Sequence, residues 1–181
     1  MRWMCLVASL LCGAFLVGCA PPAPPNQSDP GKKSDPADGA TRAEIKAAFD
    51  ALQVALDEKD ADKIWSLLTQ DSRDDAEREA KAVKEAFSKI ADKKKPAFAK
   101  NIGLSAKEMT EITGKLYLKS NAFHTDKMEE LSDCDVDEIA VAGESGVVHY
   151  TDEEDAKVKL AVVREQGQWR FAVPVAKAIL K

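Results

Sequence analysis

The chain has 181 residues and a formal charge of −5, with no basic stripe, which excludes the clustered Lys and Arg on which nucleic-acid binding rests. Three of its four cysteines, Cys5, Cys12 and Cys19, lie within the first 19 residues, so Cys134 has no partner in the rest of the chain. Any core must therefore hold by packing rather than by an internal disulfide.

The first element is Met1-Arg2-Trp3, carrying one positive charge, followed by an apolar run from Met4 to Val17. At about 14 residues it is shorter than the ~20 a membrane-spanning helix needs, and its charged start and small-residue end predict a secretory signal peptide over residues 1–18. Leu16-Val17-Gly18-Cys19 resembles the lipobox of bacterial lipoproteins. The resemblance implies cleavage between Gly18 and Cys19 and lipid attachment to Cys19. Because Ala20 rather than Asp follows, it also implies the outer membrane of the cell envelope, facing the periplasm or the exterior. Acyl chains contribute ~0.8 kcal/mol per buried methylene, and two or more hold a protein stably at a bilayer. Residues 20–40 contain six prolines and no large apolar side chain. They lack the surface to fold, so residues 19–42 read as a lipidated, Pro-rich tether and 43–181 as a single domain.

Within the domain, Thr41-Arg42-Ala43-Glu44 has capping-box spacing, and Ile45, Ala48, Phe49, Leu52, Ala55 and Leu56 follow as one helical stripe. Asp60 caps a short second helix bearing Ile64, Trp65, Leu67 and Leu68. Ser72 to Asp92 predicts a third helix, closed by Pro96, with Lys93-Lys94-Lys95 at its end, where cations meet the carbonyl dipole. After a loop through Ile102 and Gly103, Ser105 to Glu108 repeats the capping-box spacing and opens a fourth helix reaching toward Asn121, weakened by Gly114. From Asp135 the period changes to two. Runs at 135–142, 146–151, 156–162 and 168–173 predict antiparallel strands with one buried face, joined by turns at 143–145, 152–155 and 165–167. In the last run Trp169, Phe171 and Val173 share one face and Arg170 and Ala172 the other. The class is α+β, helices followed by about four antiparallel strands.

The stretch FDALQVALDEKDADKIWSLLT, with Asp60-Ala61 at its turn, and the hairpin VVREQGQWRF, with Gln166-Gly167-Gln168-Trp169, resemble the NTF2-like (cystatin-like cone) superfamily. The resemblance covers most of residues 43–174 in element order and departs from that pattern in the helical insert at 72–122. It implies a curved sheet wrapped around a long helix to form an apolar pocket, with Phe49, Trp65, Tyr150, Trp169 and Phe171 as candidate pocket residues. Some enzymes of that superfamily place an Asp base and a neutral acid in the pocket. Tyr117, Tyr150, His149 and several Asp supply the residue types here, but no spacing pairs a base with a donor.

His124 reads as loop and Cys134, between Asp133 and Asp135, as a small apolar residue. No spacing fits zinc, and Asp152 to Asp155 lacks the alternation of a calcium loop, so no metal or cofactor is expected and no catalytic residue is assigned. The expectation is a membrane-anchored envelope lipoprotein whose domain binds a small apolar ligand or an envelope protein. A pocket isomerase or hydrolase and a purely structural component are the alternatives, and the sequence leaves the oligomeric state open.

Overall fold

The computed structural model describes residues 36–152 and 154–175. The signal segment, Gly18, Cys19 and the tether as far as residue 35 lie outside the described residues. Helices come first and strands after, as the α+β reading expects: α1 (Pro36–Asp57), α2 (Ala61–Leu67), α3 (Gln70–Lys89), α4 (Lys95–Ile102), α5 (Ala106–Thr110), α6 (Gly114–Tyr117) and α7 (Asp126–Asp133), then β1 (Val136–Ala142), β2 (Ser145–Thr151), β3 (Lys157–Glu165) and β4 (Gln168–Phe171).

The long helix starts at Pro36 rather than at the Thr41 box, so helix replaces the last seven residues of the expected tether. Proline suits that place because the N–H it lacks is one of those a first turn leaves unbonded. The predicted stripe is real: Ile45, Phe49, Leu52, Ala55 and Leu56 are all buried. Asp60 caps α2, its Oδ1 accepting from the backbone N–H groups of Asp62 and Lys63 at 3.1 and 3.0 Å.

Three helical expectations change. The triple-lysine run does not end α3, which stops at Lys89. Asp92–Lys94 form a 3-10 turn, and Lys95 opens α4 with Pro96 in its first turn, where a loop was expected. Lys95 Nζ donates to Asp92 Oδ1 at 2.7 Å. Second, both arms of the Ser105–Glu108 capping box form, but α5 ends at Thr110 and α6 is a separate turn capped by Thr113. The reason for the break sits at Gly114, where an added Cβ would lie 2.7 Å from the backbone N of Glu77 on α3, so only glycine permits this approach. Third, α7 had no sequence prediction. Its buried Met128 and Leu131, one turn apart, join the core beside α1.

The four strands form an open antiparallel sheet in chain order, β1-β2-β3-β4. Ile139 pairs with Val148, Val148 with Leu160, and Val162 with Phe171. These residues are buried, so one face of the sheet carries the core, as strand alternation predicts. Phe49 of α1 joins the layers, its ring 6.4 Å from Tyr150 and 5.8 Å, edge-on, from Phe171. The β4 edge is tied to the α2–α3 junction: Leu68 bridges Phe171, and the Thr69 N–H donates to the Phe171 carbonyl at 3.0 Å.

Arg170 is an unexpected member of the interior. Alternation places it opposite Trp169 and Phe171, yet it is only 8% exposed. Its Nε lies 3.6 Å from Glu165 Oε2, and neither Nε nor Nη1 has a hydrogen-bond acceptor. Glu165 in turn accepts from the backbone N–H of Gln70 at the start of α3.

Candidate functional site

Four of the five candidate pocket residues are packed core. Phe49 and Phe171 are fully buried, with Tyr150 and Trp169 nearly so. Trp169 satisfies its polar atom at the surface, its indole Nε1 donating to Glu44 Oε2 at 3.1 Å, and Arg164 lies over its ring at 5.7 Å. Trp65 is half-buried beneath Arg73, whose guanidinium stands 5.7 Å from the ring and whose Nε donates to the Trp65 carbonyl at 2.9 Å. The structure thus places the Phe49 ring against both Tyr150 and Phe171, with Trp65 packed, half-buried, at the margin of the same core.

A sizeable concavity lies elsewhere, between the C-terminal half of α1 and α7. It measures about 780 Å³. Gln53 ties the two helices together, its Nε2 donating to the carbonyls of Cys134 at 2.7 Å and Leu131 at 3.2 Å. Asp57 and Glu58 line the α1 side and Glu129 and Asp133 the α7 side, with Lys59 and His124 between them. Val54, on the same rim, is 56% exposed. Carboxylates outnumber cations here, so the cleft favours positively charged guests.

The acidic surface continues into a second hollow of about 290 Å³ that includes Glu130, Cys134, Asp135, Asp137 and Asp152. Asp137 is held below the usual carboxylate range, first by its hydrogen bond from Lys157 and then by that from Thr151. Asp152 closes the hairpin turn, its Oδ1 accepting from the Glu154 and Ala156 N–H groups at 3.1 and 2.8 Å.

The titratable groups are placed for quiet roles. Burial pushes the Cys134 thiol up to about 11, with Asp135 and Asp133 adding to it, so at neutral pH it stays protonated and a poor nucleophile. Burial likewise pushes Tyr117 and Tyr150 up to about 12. His124 sits 2.9 Å through Nε2 from the Leu118 carbonyl, and burial lowers its pKa, favouring the neutral ring. His149 lies on β2, on the face turned away from Val148 and Tyr150. No base, donor and nucleophile converge on one point among the described residues. Among the described residues no three His, Cys, Asp or Glu side chains are placed to hold a metal ion, and no helix is long and apolar enough to cross a membrane.

Sequence reasoning missed the α1–α7 cleft. Asp133 and Asp135 around Cys134 were visible as an acidic stretch, but the meeting of Asp133 with Asp57 and Glu58 depends on α7, whose two buried apolar residues leave almost no periodic signal. No protein-family model, curated protein or solved structure matches this chain.

Proposed function

We propose that this protein is a lipid-anchored component of a bacterial cell envelope, held at the membrane by acyl chains on Cys19 and tethered to an NTF2-like domain that binds a protein partner without catalysis. The observation that carries the binding reading is the filled interior. The buried Phe49 ring, packed against Tyr150 on one side and Phe171 on the other, fills the space between helix and sheet, where a small apolar ligand would have to sit. Recognition therefore falls to the surface, and the acidic α1–α7 cleft fits a cationic segment of an envelope protein. The anchor reading rests on Leu16-Val17-Gly18-Cys19 at the end of a short apolar run, and Ala20 favours the outer membrane.

Two measurements test this. Labelling cells with an alkyne fatty acid should mark the wild-type chain and not Cys19→Ala, and mass spectrometry should find residues 1–18 removed. An intact N-terminus, or Cys19→Ala still in the membrane fraction, refutes the anchor. For the domain, a photo-crosslinking residue at Val54 should yield an adduct with an envelope protein that disappears when Asp57, Glu58 and Glu129 are changed to Lys. Failure to form an adduct, or one indifferent to that charge reversal, refutes the partner reading.

A further inference from the structure

The two edges of the sheet are treated differently. β4 is closed by Leu68 and Thr69, whereas β1 has no strand on its outer side among the described residues. An open edge presents a row of backbone donors and acceptors that another strand completes. Along this one runs a groove of about 550 Å³ between β1 and α1. Ala43, Ala47 and Ile139 are among its lining, Arg42, Lys46 and Asp50 stand on the helix wall, where Lys46 pairs with Asp50 at 2.7 Å, and Asp137 and Glu138 on the strand wall, where Asp137 pairs with Lys157 at 2.8 Å.

We propose that the β1 edge is occupied by a second copy of this chain, the two β1 strands pairing antiparallel about a two-fold axis at Ala140 to make one continuous sheet. Such a contact is isologous, with the same surface used twice. The register follows from parity and charge. With the axis at Ala140, Ile139 falls opposite the other copy's Val141 on the helix-covered face, and Glu138 opposite its Ala142 on the open face. Like charges nowhere face each other. The slip in register between Val136 and Glu138 lies at the margin of the paired stretch.

The helix walls complement this arrangement. An added Cβ at Gly146, the partner of Val141, would lie 3.6 Å from Ile45. The Phe49 ring, by contrast, approaches Tyr150, the partner of Val136. α1 therefore runs antiparallel to β1, and Arg42 lies toward the Ala142 end. That is the end at which the other copy's Glu138 enters, and since Lys46 and Asp137 are paired within their own copy, the complementary charges across the axis are each copy's Arg42 and the other's Glu138.

The test uses the full chain in membrane extract with Cys134→Ser as parent. Adding Ala140→Cys puts one thiol from each copy directly opposite the other, at a Cβ separation of about 4.5–5.5 Å whose near end meets the range a disulfide spans. Mild oxidation should give about tenfold more covalent dimer than the parent, whereas Lys159→Cys, on the inner strand β3, should stay at the parent level. Crosslinking of Ala140→Cys no greater than that of Lys159→Cys overturns the proposal. So does sedimentation of the wild-type chain as a single copy, which would mean that the edge is covered by this chain's own ends or by another protein.

Discussion

Arg170 and Glu165 offer a sharp test because the two halves of one ion pair should respond in opposite senses. The Arg170 side chain is 10% exposed and that of Glu165 31%, at 3.6 Å, and two of the guanidinium nitrogens have no acceptor. Each buried donor left unbonded costs about 1–3 kcal/mol, and replacing a buried ion pair by apolar side chains of similar volume is often neutral or stabilising by about 1–4 kcal/mol. Arg170→Met keeps the packed stem and removes the charge, so it should leave stability unchanged or raise it by about 1–2 kcal/mol. Glu165→Gln retains an oxygen for the Gln70 N–H but strips Arg170 of its counter-charge. A fully buried charge abandoned in this way costs about 3–5 kcal/mol, and the partial exposure of Glu165 brings the expectation to about 2 kcal/mol. In the Arg170→Met background the same Glu165→Gln change should cost almost nothing. Urea unfolding followed by circular dichroism measures all four corners of the cycle. Loss of more than about 2 kcal/mol in Arg170→Met would refute the reasoning, since the charge would then be stabilising the fold.

Gly114→Ala should destabilise by about 1–3 kcal/mol despite alanine's better helix propensity, because the new methyl meets the backbone of α3 at 2.7 Å; an unchanged urea midpoint would refute it. For His124 the folded pKa is lowered by burial, opposed by the Leu118 hydrogen bond and assisted by Lys59. The unfolded chain thus takes up the proton first, so the contribution is complete above about pH 6.5 and declines as pH falls through the lowered folded value. The wild type should lose more stability than His124→Gln between pH 7 and 5, and parallel losses would refute this.

The strands were legible because alternation survives wherever one face is buried and the other solvated, and β1 to β4 fall within three residues of the expected limits. Asp60 and the Ser105–Glu108 box were readable because capping is a local transaction between neighbouring residues. The misreadings arise where tertiary contact overrides local signals. Pro36 sits among tether-like prolines, although Pro at a first helical position is itself a start signal. Pro96 looked like a terminator and sits in the first turn of α4 instead. Gly114 looked like a weak point inside one helix and is the close approach that separates two. The aromatic residues could be read as interior from their spacing, but spacing does not distinguish a lined cavity from a filled one.

Ser72 near the start of α3 donates through Oγ to the Val173 carbonyl at 2.9 Å, Thr69 bonds Phe171, and Phe49 needs the same Phe171 ring. The first helices are thus completed by the last strand, more than a hundred residues downstream in the case of Phe49. At about 5–20 residues per second of synthesis, the amino-terminal half waits several seconds for its closing piece, and a chain cut short before Phe171 never receives it. Closure of this core is therefore a late event in synthesis, set by the last strand rather than by the helices that precede it.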